Sequence, residues 1–268
     1  MENASKDVLY TIALDLDLPN LLRWCQSSSK IHKDVCNNSN VWRSKLMKDY
    51  PNYKIYNLNK SLKEIYVFMY QLSFIKNLLN DENVTLYDIF RMPEIELSKK
   101  GLKNVPAFDL PHLRELDLSI NQLTVVPAFN LPNLQVLNLR NNLLREILQL
   151  NLPNLEILDL SENQLTEVPV FHFPNLRELD LSYNLLKKLP IFILSKLQVL
   201  HVHGNQLTEV PIFDFPDLKY IFLFDNKLTT MPTFDLPHLQ ELHLHNNPLT
   251  EEQKIGLEKK YGKILKSI

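Results

Sequence analysis

A repeat of 21 residues fills most of the chain after its first third. The segment "LPHLRELDLSINQLTVVPAFN", which starts at Leu110, is followed by "LPNLQVLNLRNNLLREILQLN" and then by "LPNLEILDLSENQLTEVPVFH". A weaker copy, "IFRMPEIELSKKGLKNVPAFD", starts at Ile89. Further units begin, with no insertion between them, at Phe173, Leu194, Phe215 and Leu236. Uninterrupted self-similarity at this period predicts that the units stack on one another as a solenoid.

The apolar positions of each unit explain why the units must stack. Leu113, Leu116, Leu118 and Leu123 recur in later units as leucine or a close relative, and a single unit has too little core to bury them. The central x-L-x-L-x segment alternates with a period of two residues, which is typical of a short strand. Successive units therefore predict a parallel sheet that lines one face of a curved solenoid.

An asparagine recurs where the chain has to leave each strand. An amide there can donate to and accept from backbone groups that the turn leaves unpaired, so we expect a structural ladder. Its members are Asn121, Asn142, Asn163, Asn184, Asn205, Asn226 and Asn247.

Proline and phenylalanine columns occupy the opposite side of the units. Proline lacks a backbone donor and fixes φ, so this side should be extended or form short 3₁₀ turns. The phenylalanines predict a second core column, in which Leu150 takes the place of Phe in one unit. After the last unit, Thr250 and Gln253 form a helix-capping pattern that predicts a helix over the open end of the core. The first proline column comprises Pro106, Pro127, Pro169, Pro190, Pro211 and Pro232, and the phenylalanine column comprises Phe108, Phe129, Phe171, Phe192, Phe213 and Phe234.

The repeat resembles the leucine-rich-repeat family, whose pattern is L-x-x-L-x-L-x-x-N-x-L. The predicted fold class is accordingly α/β: a small helical domain followed by a curved leucine-rich-repeat solenoid with a parallel sheet on its concave face. We assign residues 1–50 to the helical domain, 51–88 to a helical spacer, 89–250 to eight repeats and 251–268 to a C-terminal capping helix.

The helical domain resembles the F-box. Helical spacing runs from Asp7 to Leu16, Pro19 opens a second helix, and the segments "LDLPNLL" and "VWR" match the family's order of residues. The resemblance implies a substrate receptor of a Skp-cullin-F-box ubiquitin ligase, in which these helices bind the Skp adaptor and, through it, the cullin. The implied adaptor-binding residues are Leu9, Ile12, Leu16, Pro19, Leu21 and Leu22. The alternative is a stand-alone interaction scaffold whose helices only cover the first repeat, with no ligase link.

Composition and charge argue against several classes of protein. The formal net charge is −2 and no basic cluster is present, which disfavours nucleic-acid and anionic-membrane partners. The most apolar stretch is too short and too interrupted to cross a bilayer. We therefore expect a cytoplasmic or nuclear protein. Cys25 and Cys36 are expected to be reduced thiols in the core.

The outward strand positions change character along the repeats. The earlier units place acids there, such as Asp117, Asp159 and Asp180, whereas the later units place aromatic rings and histidines. Exposed aromatic clusters are often interaction sites, so we predict a binding surface for a protein client. The predicted client-binding residues are His201, His203, Tyr220, Phe222, Phe224, His243 and His245. Two other interpretations stay open: the rings only shield one another across strands, or the histidines make ligand binding change between pH 5 and 7.

The sequence predicts neither a catalytic residue nor a cofactor. Its four glycines form no phosphate-binding loop. His201 and His243 should lie about 9.6 Å apart, two strand spacings, with Phe222 between them, which is unsuitable for one metal ion. An acid near a histidine, such as Asp180 near His201, would still lack an enclosed pocket and a nucleophile.

Overall fold

The computed structural model describes residues 5–231 and 234–268. Pro232, which the sequence places in the first proline column, lies outside the described residues. The chain divides into two compact units, Met1–Phe90 and Arg91–Ile268. No helix in the described ranges is long and apolar enough to span a membrane.

The first unit is helical, as the periodicity predicted. Ser5 caps the first helix, α1 (Lys6–Asp15), and Asp17 caps the second, α2 (Leu18–Gln26), by accepting a hydrogen bond from the Asn20 amide at 2.9 Å. Pro19 lies in the first turn of α2, where a missing N–H costs nothing. A π-helical turn, His32–Cys36, and a 3₁₀ turn, Tyr53–Tyr56, connect longer helices. The helices are α1 (Lys6–Asp15), α2 (Leu18–Gln26), α3 (Ser29–Ile31), α4 (Ser39–Asp49), α5 (Leu62–Leu79) and α6 (Leu86–Arg91).

Cys25 and Cys36 are joined by a disulfide, so the prediction of two reduced thiols is wrong. Both are buried, as expected. Packing of α2 against the π-helical turn brings their Cα atoms to 6.0 Å, within the range that a disulfide bridges. The two cysteines are 11 residues apart in the sequence, and this single spacing matches no pattern from which the disulfide could be predicted.

The second unit is built on a parallel sheet, which confirms the predicted solenoid. The nine strands among the described residues follow chain order, and buried leucines pair from strand to strand, Leu116 with Leu137 and Leu137 with Leu158. The last strand, β9, was not predicted; it follows the C-terminal helix and pairs with β8. The strands are β1 (Glu94–Glu96), β2 (Glu115–Asp117), β3 (Val136–Asn138), β4 (Ile157–Asp159), β5 (Glu178–Asp180), β6 (Val199–His201), β7 (Tyr220–Phe222), β8 (Glu241–His243) and β9 (Leu265–Ser267).

The asparagine column forms the expected hydrogen-bonded ladder. Asn163 accepts a hydrogen bond from the Leu144 amide at 3.1 Å and donates to the carbonyls of Leu139 and Leu160 at 3.0 and 3.1 Å. Its amide therefore links its own repeat to the preceding one. Asn205 repeats the same contacts, with Leu186, Leu181 and Val202 as partners.

The residue before each ladder asparagine adopts a left-handed backbone conformation, which the sequence analysis missed. The φ angles run from 52° to 65° along this column. Such angles favour glycine, yet glycine occurs there only at Gly204; the column otherwise includes Ile120, Tyr183 and Asp225. The regular turn therefore overrides the local preference of these side chains.

The opposite side of the repeats has the predicted second core column. Phe108 stacks on Phe129 with ring centroids 5.7 Å apart, and Phe213 stacks on Phe234 at 5.0 Å. The described residues between β1 and the final helix form no helix on this side, as the prolines predicted.

The final helix, α7 (Glu251–Tyr261), begins after Thr250, and the hydroxyl of Tyr261 accepts a hydrogen bond from the Phe234 amide at 2.9 Å.

Candidate functional site

The outward positions of the sheet form the concave face. We define these positions as the first and third residue of each strand and the residue two positions after it. In β7 they are Tyr220, Phe222 and Phe224, each half-buried, and they alternate with Ile221 and Leu223, which are fully buried. The period-two pattern therefore places three rings of one repeat on one side of the sheet.

Two ladders of stacked rings cross strands β6, β7 and β8. In the first, Phe222 lies between His201 and His243, with centroid separations of 4.5 and 4.8 Å and interplanar angles of 4° and 22°. In the second, Phe224 lies between His203 and His245, with separations of 4.2 and 4.5 Å. We call these six residues the histidine–phenylalanine ladders. The ring faces contact one another, so it is mainly the ring edges that remain for a partner.

Tyr183 extends the ladders toward β5, and the sequence analysis missed it. Its ring lies edge-on to His203, with centroids 5.0 Å apart, and its side chain is 52% exposed. The ring packs over Gly204, where an added Cβ would come within 2.6 Å of the Tyr183 Cδ1 atom. The sequence held one signal for this contact: Gly204 is the only glycine in the column of residues that precede the ladder asparagines.

The histidines of the ladders have different polar surroundings. The Nε2 atom of His243 lies 3.1 Å from a Glu241 carboxylate oxygen, and the Nδ1 atom of His245 lies 2.7 Å from the Ser267 hydroxyl. The buried Nδ1 atom of His203 has no hydrogen-bond partner among the described residues. Burial lowers the pKa of His203, and the nearby Asp180 charge opposes this effect only in part. His203 is therefore harder to protonate than an ordinary histidine.

The part of the concave face formed by β1 to β5 is acidic. Carboxylates stand directly opposite each other in neighbouring strands at Glu94 and Glu115, and at Asp159 and Asp180. Burial raises the pKa of Asp159, and the Asp180 charge adds to that rise. The acidic residues at the outward positions of these strands are Glu94, Glu96, Glu115, Asp117, Asp159, Glu178 and Asp180. We call this part the acidic half.

No group of three or more histidine, cysteine, aspartate or glutamate side chains within residues 5–231 and 234–268 could hold a metal ion. The ladder geometry gives a reason at the concave face. Phe222 separates His201 from His243, and Phe224 separates His203 from His245, so neighbouring strands never place two imidazoles against each other.

The residues implied for adaptor binding do not share one environment. Leu9 and Leu21 are fully buried in the core of the first unit, so they are inaccessible to a partner while that unit stays folded as described. Pro19 is exposed, and Ile12, Leu16 and Leu22 are half-buried. A surface groove of about 410 Å³ lies between α1 and α2; its lining residues are Ile12, Leu16, Asn20, Arg23, Trp24 and Ser27.

The family models match parts of the second unit. A family model described as Leucine Rich repeats (2 copies) matches residues 111–152 and 153–194, and a Leucine Rich Repeat model matches residues 238–259. A search of the curated proteins found no match.

Among solved structures, the leucine-rich-repeat domain of a Shigella effector is similar, with a TM-score of 0.52 and 24% identity over 81% of this chain and 90% of that one. YopM, a leucine-rich effector protein from Yersinia pestis, has a TM-score of 0.49 and 21% identity over 78% of this chain and 67% of that one. The family matches and the Shigella structure support a leucine-rich-repeat fold for the repeats. The second unit of this protein is therefore a leucine-rich-repeat solenoid.

Proposed function

We propose that the chain is a protein-interaction scaffold, without catalysis of its own, whose concave face binds a protein partner through the histidine–phenylalanine ladders. The observation that carries this proposal is the ladder geometry itself. Six rings and the neighbouring Tyr183 form one continuous cluster whose edges remain partly exposed on an open sheet. Aromatic residues in such clusters contribute most of the binding free energy at many interfaces.

If the rings only shielded one another across strands, their mutual contacts would be explained. Their place at outward positions of the sheet would not. Stacking stabilises the sheet, but it does not require rings at these positions, since polar side chains there would not expose ring edges to water. The stacked arrangement also holds each ring in place before a partner arrives. Binding then costs less side-chain entropy than it would for flexible residues.

Selection from a displayed library of random twelve-residue peptides on the immobilised protein tests this proposal. We expect enriched peptides to bind the wild type and to lose binding to the double variant Phe222→Ser and Phe224→Ser. The double variant Ile191→Ser and Ile212→Ser is the control, because these exposed apolar residues occupy equivalent positions of neighbouring repeats outside the concave face. The control should retain binding.

The two phenylalanines are half-buried, so their replacement also reduces stability, by about 1–3 kcal/mol from lost stacking and burial. Urea unfolding of each variant shows whether it is folded during selection. Tyr183→Ser supplies a second variant, because a side chain that is 52% exposed can be removed at little cost in stability. Absence of enriched peptides, or equal binding by all variants, would contradict the proposed function.

A narrower function is substrate recognition for a Skp-cullin-F-box ubiquitin ligase. It is supported by the F-box resemblance near residues 5–50 and by the apolar groove between α1 and α2, where Ile12, Leu16 and Trp24 meet. Co-purification with a Skp-type adaptor tests it. Loss of a stable complex in Ile12→Glu and Leu16→Glu, but not in the exposed control Met47→Glu, would support it. No complex with the folded wild type would contradict it.

A further inference from the structure

We propose that the partner recognised by the concave face is a basic, extended protein segment that ends in an uncharged apolar anchor. Its lysine or arginine side chains lie over the acidic half, and the anchor lies against the histidine–phenylalanine ladders. This inference rests on the proposed function and adds the chemistry and the direction of the bound segment.

Like charges that face each other across strands supply the first argument. Glu94 pairs with Glu115, Glu96 with Asp117, and Asp159 with Asp180. Such pairs destabilise a sheet by about 0.2–1 kcal/mol each when both side chains are charged. A cationic partner would relieve this repulsion, whereas an acidic partner would increase it.

Cations of the protein itself neutralise the acidic half only in part: the charge of Arg140 acts on Asp159 and Asp180, but its main partner is Glu162. Arg140 is the basic residue at an outward position here, and its guanidinium is engaged by Glu162 at 2.5 Å. At the edge where the strands begin, Arg177 lies 3.5 Å from Glu156. Asp117 and Asp180 each use one carboxylate oxygen to accept a backbone hydrogen bond, from Ser119 and Ser182 respectively. The second carboxylate oxygen of Asp180 remains for a partner's cation. The second oxygen of Asp117 accepts a hydrogen bond from Asn138 at 3.1 Å, which leaves the negative charge of Asp117 in place.

The ring edges explain why the anchor is uncharged. An aromatic ring attracts a cation over its face, but its edge carries a positive partial charge. In the ladders the faces of Phe222 and Phe224 are covered by the histidines on either side. A lysine placed there would meet positive edges, whereas an aliphatic or aromatic side chain would gain burial of apolar surface.

The spacing of the strands gives the length of the segment. Strands β1 and β8 are seven inter-strand intervals apart, or about 34 Å at about 4.8 Å per interval. An extended chain advances about 3.3 Å per residue, so about ten residues cross the whole face. About six of them lie over the acidic half, and three or four over the ladders.

Three fluorescein-labelled twelve-residue peptides test the inference by fluorescence anisotropy. The first has lysine at alternate positions of its first half and two leucines in its second half. The second replaces the lysines by glutamate, and the third replaces the leucines by serine. We expect the first to bind at least tenfold more tightly than either of the others, and to weaken when the salt concentration rises from 50 to 200 mM.

A charge-neutralised protein supplies the matched comparison. The variant E115Q/D117N/E178Q/D180N removes acidic charge and keeps the backbone hydrogen bonds, because Asn138 already accepts the equivalent bond from the Arg140 amide at 3.0 Å. The control E146Q/E167Q/E209Q/D214N removes the same charge from exposed positions outside the concave face. We expect about tenfold weaker binding of the first peptide by the former, and less than a twofold change by the latter.

The outcomes separate this inference from the proposed function. Equal binding of the lysine and glutamate peptides, or equal losses in the two charge variants, would overturn the inference. If library peptides bind through Phe222 and Phe224 but carry no excess of basic residues, the proposed function stands and the inference fails. If the library yields no binding peptides, the proposed function fails first.

Discussion

The acidic half of the concave face and the part formed by β6 to β8, which we call the ladder half, share one backbone arrangement and differ in their outward side chains. Leu158, Leu179 and Leu200 occupy equivalent buried positions in β4, β5 and β6, and they pair in an unbroken register. The facing residue changes at that point from Asp180 to His201. Because the core does not change with it, the fold and the proposed recognition depend on separate columns of the repeat.

The two halves also handle neighbouring side chains in opposite ways. In the acidic half, adjacent outward residues repel each other, as Asp159 and Asp180 do. In the ladder half, adjacent outward residues attract each other by ring stacking, as His203 and Phe224 do at 4.2 Å. The first arrangement favours a partner that brings cations, and the second holds an apolar contact surface in place.

The largest expected effect tests whether the backbone is really common to both halves. Asn163→Ala in the acidic half and Asn205→Ala in the ladder half should each cost about 3 kcal/mol, because each leaves buried amide and carbonyl groups unpaired. The exposed Asn154→Ala, which removes a single hydrogen bond to the Pro132 carbonyl, should cost about 0.5 kcal/mol. Urea unfolding measures all three. If only one of the two substitutions, Asn163→Ala or Asn205→Ala, destabilises the protein, the two halves do not share one backbone arrangement.

The next effect concerns the glycine that supports Tyr183. Gly204→Ala should cost about 2 kcal/mol, because the residue has φ +65° and its new Cβ would meet the Tyr183 ring. Adding Tyr183→Ala to Gly204→Ala should restore part of the lost stability. Gly256→Ala, at an open helical position, should instead stabilise by about 0.5–1 kcal/mol. Thermal unfolding distinguishes the variants, and equal behaviour of the two glycines would contradict this account.

A smaller effect should appear in the ladder half on acidification. The lowered pKa of His203 means that the unfolded chain takes up its proton first, so this residue destabilises the fold as pH falls below the ordinary histidine value of about 6.5. Between pH 7 and pH 5 the wild type should lose up to about 1 kcal/mol more than His203→Gln. Urea unfolding across this range measures the difference, and parallel curves would count against a buried neutral imidazole.

The smallest effect is expected in the acidic half and has the opposite sign. The raised pKa of Asp159 means that its charge opposes folding above that pKa, and protonation removes the penalty as pH falls. Asp159→Asn should therefore stabilise the protein by about 0.5 kcal/mol at pH 7, and this gain should vanish below about pH 4. A destabilised variant at pH 7 would show that Asp159 is held by attraction and not by repulsion.

Different physical features decided what the sequence could predict. The strands, the asparagine ladder and the phenylalanine column followed from spacing, because each depends on a column that recurs every 21 residues. The outward columns also showed that Phe222 and Phe224 share a face with histidines. Periodicity alone could not show how the rings are oriented, and it gave no reason to expect that Tyr183 packs over Gly204.

The first unit was less accessible to sequence reasoning because it lacks a repeat. Helical spacing located α1 and α2 but could not separate core residues from surface residues in so small a unit. Leu9 and Leu21 proved to be fully buried, while Ile12 and Leu16 line a groove. The Cys25–Cys36 disulfide depends on how α2 packs against the following turn, which is a tertiary contact without a local pattern.

The most direct test of the central claim is an amide chemical-shift map of the protein with the lysine–leucine peptide. We predict shifts along the outward strand positions, with the lysine end near Glu115 and Asp180 and the leucine end near Phe222 and Phe224. A peptide whose lysines are replaced by glutamate should produce much smaller shifts at the same concentration. Shifts confined to the proline and phenylalanine side of the repeats, or a peptide bound in the reverse direction, would contradict the account.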